Sequence, residues 1–275
     1  MSTEPGLEAR RPRGVYLLPN LFTTAALFCG FYAIIAALQN RFEPAAVAVF
    51  VAMVLDGLDG RVARLTHTES EFGAQYDSMA DLVSFGLAPA LIVYEWALGS
   101  MVGMGPFLSK LGWLAAFFYT VMAALRLARF NVQLGSTDKR YFIGLPSPSA
   151  AAIVTGLVWF GTDLGLTGPQ LLWPALVVTV GAGALMFSNV LYFSFKQINL
   201  GGRVPFMAAL LVVLTLVIIS IDPPKVLFGG FFLYGLSGPV LFLFRLRQRA
   251  RRRSQGGEIA ETKPPRDRPV PPSSS

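Results

Sequence analysis

The sequence predicts an all-α, polytopic transmembrane helix bundle of about eight spans with both termini on the cytoplasmic side. Three observations carry this expectation. Hydrophobic residues fill 53% of the 275 positions against 14% charged, and mean hydropathy is +0.54, which excludes an ordinary soluble domain. Eight apolar stretches are long enough to cross a bilayer, or nearly so. The basic residues are also sorted by loop. Arg10, Arg11, Arg13, Arg61, Arg64, Arg126, Arg129, Lys139, Arg140, Lys196 and Arg203 fall on one side, and only Arg41, Lys110 and Lys225 on the other. The richer side is read as cytoplasmic.

The first stretch, near 20–38, opens beside Pro19, a residue suited to a helix start. It runs on too far for a signal-peptide core, and Phe28 before Cys29 breaks the small-residue rule for cleavage, so it is expected to be retained. The second, near 44–65, ends in an acidic stretch, and the third, near 77–97, begins with two more aspartates. The fourth, near 110–131, ends in Arg126-Leu-Ala-Arg129-Phe-Asn131. The fifth, near 148–164, is short and follows Gly144-Leu-Pro146-Ser-Pro148, a rigid turn by composition. The sixth is placed near 170–193, the seventh near 204–221 and the eighth near 226–245; the last two carry no motif.

Residues 1–14 and 247–275 are expected to be disordered cytoplasmic tails around a transmembrane domain of residues 15–246. The second tail is rich in arginine, then in proline and serine. Its basic start anchors topology and would attract anionic headgroups by about 1 kcal/mol per residue; nucleic acid is not an expected partner. The single cysteine excludes an internal disulfide and a cysteine-based metal cluster. No internal repeat is apparent, which counts against a transporter built from repeated halves.

Asp56, Asp59, Asp77 and Asp81 are the chemistry-bearing residues. A carboxylate at a membrane helix centre costs roughly 2.5–3.5 kcal/mol, so a group of them needs a compensating partner. Asp56, Asp59 or Gly60, and Ala63 or Arg64 recur at helical spacing and share one face. Asp77 and Asp81, four apart, share another, and the short loop from Thr66 to Gln75 folds the two faces together. Hard oxygen ligands without His or Cys favour two Mg²⁺ or Mn²⁺ ions, as in two-metal phosphoryl-transfer sites. Gly60 and Gly73 leave room for a phosphate to approach the backbone, and Arg64 offers a fork for a diphosphate. Any one of these acids alone would read as ordinary helix capping; four at these intervals do not.

The full pattern, Asp56-x₂-Asp59-Gly60-x₂-Ala63-Arg64-x₈-Gly73-x₃-Asp77-x₃-Asp81, resembles the signature of the CDP-alcohol phosphatidyltransferases, with no departure from it. The resemblance implies a polytopic helical enzyme, often a homodimer, with its active site open to the cytoplasm and the bilayer. It implies that Asp56, Asp59 and Asp77 hold one metal, that Asp56, Asp77 and Asp81 hold the other, and that Asp81 is the general base. Gly60, Ala63, Arg64, Ser70 and Gly73 are implied to meet the CDP-lipid. Asn20 and Thr23, in Pro19-Asn20-Leu-Phe-Thr23, are similar to the family's nucleotide-contacting stretch; the same residues also suit a plain helix start.

Arg126-Leu-Ala-Arg129-Phe-Asn131, Phe142-Ile-Gly144-Leu-Pro146-Ser-Pro148-Ser-Ala150 and Ser188-Asn189-Val-Leu-Tyr192-Phe-Ser194-Phe-Lys196 resemble the serine-using branch of that family, the membrane-bound phosphatidylserine synthases. The implied reaction moves a phosphatidyl group from CDP-diacylglycerol to L-serine in a bacterial cytoplasmic membrane. Arg126 and Arg129, with Asn131, are candidates to hold the serine carboxylate or a phosphate; positive-inside anchoring is the alternative for the arginines. Other acceptors remain open, namely glycerol 3-phosphate, inositol phosphate or choline. A divalent-cation transporter is a further alternative, disfavoured because the acids gather at one surface beside a permanent arginine.

Overall fold

Helices lie over every expected apolar stretch in the computed structural model, which describes residues 17–66, 68, 70–133, 141–193 and 206–261. Helices α1 (Leu17–Leu38) and α2 (Phe42–Thr66) form a hairpin whose turn places Asn40 at φ 58, a conformation asparagine tolerates. Its buried residues are mostly small, including Ala33, Ala36 and Ala37 on α1 and Ala45, Ala48 and Ala52 on α2. Small side chains let helices approach closely where lipid supplies no hydrophobic drive between them. Next come α3 (Glu71–Asp81), a π-helical segment (Leu82–Leu87) and α4 (Ala88–Trp96), continuous along one rod. After a 3₁₀ turn (Leu98–Met104) follow α5 (Pro106–Gln133), α6 (Ser147–Asp163), a second 3₁₀ turn (Gly168–Leu171), α7 (Leu172–Phe187), α8 (Phe206–Ile221) and α9 (Pro223–Glu261).

Among the described residues, five stretches are long and apolar enough to cross a membrane: Pro19–Leu38, Glu71–Trp96, Pro106–Val132, Gly168–Phe187 and Pro223–Phe242. The other three helices fall short for separate reasons. α2 carries acids inside its apolar run, whereas α6 and α8 have 17 and 16 residues, roughly 26 and 24 Å of rise. α6 is the packing centre: every residue from Ser149 to Val158 is buried. A helix apolar on all sides belongs inside a bundle.

The bundle is helical as expected, with one small addition and two shifted boundaries. The addition is a short antiparallel ribbon in which β1 (Tyr141–Ile143) pairs with β2 (Leu191–Phe193). It ties the connection before α6 to the connection after α7. Gly144 continues it at φ 82, with its N–H on the Val190 carbonyl at 2.8 Å, and a Cβ there would collide with the Met186 carbonyl. The third helical unit starts at Glu71 instead of near 77, because Ser70 caps it by accepting the Gly73 N–H at 3.0 Å. Asp77 and Asp81 thus lie beyond the first turn, where the helix dipole gives little help to an anion. At the other end of the chain, α9 continues to Glu261 through the basic stretch expected to be a tail. Its composition of Arg, Gln and Ala favours helix. Residues 1–16, 67, 69, 134–140, 194–205 and 262–275 lie outside the described residues, and with them the first expected tail, residues 262–275 of the second and the Ser194–Lys196 part of the serine-branch motif.

The π-helical segment has no counterpart in the sequence expectation. Such segments are rare and recur at functional sites. Here hydroxyls tie it to neighbouring helices: Tyr119 donates to the Phe85 carbonyl at 3.0 Å, Thr120 reaches Gly86 at 3.4 Å, and Ser84 donates to Ala26 on α1 at 3.1 Å. Gly30 on α1 permits this crossing, since a Cβ there would collide with Ser84.

The helix ends sort into two groups. Hydrogen bonds join the start of α1 to α2 and α3, the end of α5 to the start of α6, and the end of α5 to the end of α7. At the other pole, Lys225 of α9 pairs with Asp163 at the end of α6 at 3.7 Å and with Asp222. The Lys225 hydrogen bond holds the Asp222 carboxyl below its ordinary value.

Candidate active site

Asp56, Asp59 and Asp77 come together where α2 and α3 face each other, each offering a carboxylate oxygen within 4.8 Å of the others. Asp81, one turn beyond Asp77, hydrogen-bonds to the Asp56 side chain and lies within electrostatic reach of Asp59 and Asp77. Two negative charges this close repel by about 3 kcal/mol at an effective dielectric near 20. A proton or a cation therefore has to sit among them. The donor set is oxygen only, which fits a hard divalent ion.

The helices build this cluster locally. Asp56 and Asp59 sit more than a turn before the end of α2, so both project sideways toward α3 instead of past the helix end. Asp59 is 5% exposed and is fixed by Thr23 of α1, whose hydroxyl donates to Oδ2 at 2.7 Å and also contacts the Pro19 carbonyl at 3.2 Å. The Thr23 hydroxyl is thus turned toward a carboxylate. Thr24 donates to the Asn20 carbonyl at 2.7 Å and shares a hydrogen bond with the Tyr76 hydroxyl at 2.9 Å, tying α1 to α3.

The phosphate-side candidates surround one edge of the acids. Gly60 is exposed, and a Cβ there would meet nothing within 4 Å, so its bare backbone faces open space. Arg64, one turn on, is exposed; Ala63 is half-buried, and its carbonyl accepts the Thr68 N–H at 3.0 Å. Gly73, Ser70 and Asn20 gather nearby: a Cβ on Gly73 would lie 3.1 Å from Ser70 Oγ and 3.5 Å from Asn20 Oδ1. Exposed apolar side chains, Leu21, Leu58, Leu65, Phe72 and Met79, occupy the same helix segments.

The three acceptor candidates on α5 part company. Arg129 is spent on its surroundings. Its guanidinium donates to the carbonyls of Ile143, Ser188 and Phe187 and to Asn189 Oδ1, at 3.0–3.3 Å, and stacks 5.1 Å from the Phe187 ring. Asn131 exchanges hydrogen bonds with Ser78, next to Asp77, and so braces α3 against α5. Arg126 is buried at 9% exposure within electrostatic reach of Asp81, and one terminal nitrogen donates to Ser147 Oγ at 2.9 Å. Its Nε has no hydrogen-bond partner among the described residues.

Thr24, Tyr76, Ser78, Tyr119 and Ser147 join the site or its supports without having been expected from the sequence. Ser147 lies inside a turn that composition marks only as architectural. The others carry no local signal, since each acts across a helix–helix contact.

A family model described as CDP-alcohol phosphatidyltransferase matches residues 16–181. That range holds all the residues of the acidic cluster together with Asn20, Thr23, Arg126, Arg129 and Asn131. The chain is 35% identical over 225 residues to a CDP-diacylglycerol–serine O-phosphatidyltransferase of Helicobacter pylori, across 81% of this chain and 90% of that protein. It is 33% identical over 180 residues to one of Bacillus subtilis, covering 66% and 92%. Against one of Methanocaldococcus jannaschii it is 35% identical over 159 residues, covering 58% and 66%.

Proposed function

Because this chain belongs to the CDP-alcohol phosphatidyltransferase family, we propose that it transfers the phosphatidyl group of CDP-diacylglycerol to the hydroxyl of L-serine, yielding phosphatidylserine and CMP. The observation that carries the reading is the convergence of Asp56, Asp59 and Asp77 beside the open backbone of Gly60. The names of its relatives support serine as acceptor.

Asp56, Asp59 and Asp77 would hold one divalent cation, Mg²⁺ or Mn²⁺, and Asp56, Asp77 and Asp81 would hold a second. Bound there, such ions would supply positive charge to offset the diphosphate and the charge developing on CMP. Gly60 lets the diphosphate approach the helix, and Arg64 pairs with its oxygens. Asn20, Ser70 and Gly73 line the CDP side, with Ala63 keeping the same face narrow. Thr23 serves through Asp59. Asp81 accepts the serine hydroxyl proton as that oxygen forms its bond to the lipid-bearing phosphorus. The bond from that phosphorus to the CMP oxygen breaks, and CMP leaves. General-base assistance of about 10²–10⁴-fold suits a hydroxyl that is weakly nucleophilic at neutral pH.

The chain is an integral membrane protein by its apolar helices. In the proposed arrangement all eight helical units cross a bacterial cytoplasmic membrane and both termini and the acids face the cytoplasm. The protein works as a homodimer whose tails flank a domain of residues 15–246. Purified protein supplied with CDP-diacylglycerol and a panel of acceptors, with and without EDTA, tests the chemistry. Labelled serine should enter lipid and EDTA should stop it. Incorporation of glycerol 3-phosphate instead of serine would refute the acceptor.

A further inference from the structure

A proline interrupts α9. Pro239 brings no N–H to the helix, so the Gly235 carbonyl four residues back lacks its usual intrahelical donor. An unpaired carbonyl inside a membrane span is costly, and membrane helices keep such prolines where a neighbouring group supplies the missing hydrogen bond. Tyr192, from β2 of the ribbon, supplies it here. Its hydroxyl donates to the Gly235 carbonyl at 3.0 Å, and the residue is wholly buried. The ring fits because Gly238 has no side chain: a Cβ there would lie 2.3 Å from Tyr192 Cζ. Tyr234 closes another side of the seat, its ring 5.5 Å from that of Tyr192. A proline, two glycines and a tyrosine thus form a notch in α9 that takes one phenol.

The ribbon in turn holds the end of α5. Arg129 donates to Ile143 at the end of β1 and to Ser188 just before β2. Asn131, two residues on, pairs with Ser78 of α3, beside Asp77. Contacts therefore run from α9 through Tyr192 and the ribbon to the end of α5, and on to the helix that carries two of the acids. α9 lies wholly beyond residues 16–181, the range of the family match. We propose that Tyr192 is a positioning residue: seated in the notch of α9, it latches the last span to the ribbon and so keeps the end of α5, which braces α3, in place for the reaction. The inference rests on the phosphatidyl-transfer reading above and adds a part for the last span. A chain of contacts shows coupling only when breaking one link is felt at the far end.

The test crosses Tyr192→Phe with Pro239→Ala in the full chain. Alanine at 239 restores the N–H that the Gly235 carbonyl lacks, so the phenol hydroxyl matters to stability only while proline is present. Tyr192→Phe should lower the melting temperature in detergent by about 2–4 °C beside Pro239 and leave it unchanged in the Pro239→Ala background. An equal loss in both backgrounds refutes the pairing. Positioning gives the other pattern, because alanine repairs the helix without tying it to the ribbon. The Gly144 and Leu145 N–H groups, bonded to Val190 and Leu185, should exchange about 10-fold faster in Tyr192→Phe and in the double variant alike. In both, kcat with serine should fall about 10-fold while KM for CDP-diacylglycerol holds. Pro239→Ala alone should keep wild-type exchange and turnover. Recovery of exchange and turnover in the double variant would mean that Tyr192 serves only the stability of α9, and overturns the latch. Wild-type exchange and turnover in Tyr192→Phe overturn it too. Should Tyr192→Phe fail to fold, the double variant, whose helix is repaired, decides by the same two readouts. Wild type that uses serine, with variants that behave like it, sinks the latch alone. Wild type that transfers nothing to serine brings down the broader reading and this inference with it.

Discussion

At the residue scale, the proposed mechanism divides the aspartates between holding metal and, in Asp81, taking a proton. Asp81→Asn keeps the shape of the side chain and its hydrogen-bonding reach but removes the base. Turnover should fall below about 1% of wild type while calorimetry still detects CDP-diacylglycerol binding; wild-type-like turnover would count against Asp81. Thr23 gives a second prediction. Its hydroxyl steadies Asp59 at 2.7 Å, and losing a partner behind a metal ligand typically costs about 10–100-fold in metal affinity. Thr23→Val should shift the Mn²⁺ dissociation constant by about that factor, followed by electron paramagnetic resonance of free Mn²⁺, whereas CMP affinity measured with saturating metal stays near wild type. The acids were legible in the sequence because helical spacing alone puts Asp56 with Asp59 and Asp77 with Asp81. The role of Thr23 was not, because it depends on where α1 crosses α2. Likewise spacing puts Arg126 and Arg129 on one face of α5. What separates them is a set of carbonyls on loops distant in sequence, and no local pattern reveals those.

At the element scale, the apolar runs foretold the helices, with boundaries displaced wherever a cap or strong helix formers intervened. Ser70 moved the start of α3 outward by more than a turn, and the arginine-rich segment after 246 continued α9. The π-helical segment after Asp81 left no trace in the apolar pattern, because its wider turn shifts the register by only about a residue. Two of its carbonyls are met by α5, and Tyr119, wholly buried, makes the shorter of these bonds. Tyr119→Phe leaves the Phe85 carbonyl without that partner. It should destabilise the protein by about 1–3 kcal/mol, read as a lowered melting temperature in detergent, and an unchanged melting temperature would show that the segment holds itself.

At the scale of the whole molecule, the proposed eight-span arrangement requires helix ends at two opposite faces. The acids and the α5–α6 connection share one pole, and Asp163, Asp222 and Lys225 mark the other. A reporter enzyme fused after Gly165 should therefore report the outside, and one fused after Arg249 the cytoplasm. Matching signals at both positions would break the eight-span arrangement.

The exposed Leu21, Leu65, Phe72 and Met79 beside the acids have a kinetic consequence. Under the proposed reaction, a centre bordered by oily side chains meets its donor by sideways diffusion within the leaflet, and its lipid product departs the same way. Catalytic speed then tracks how crowded the surface is with nucleotide-bearing lipid. Diluting that lipid with inert neighbours slows the enzyme even when the amount in the tube stays constant.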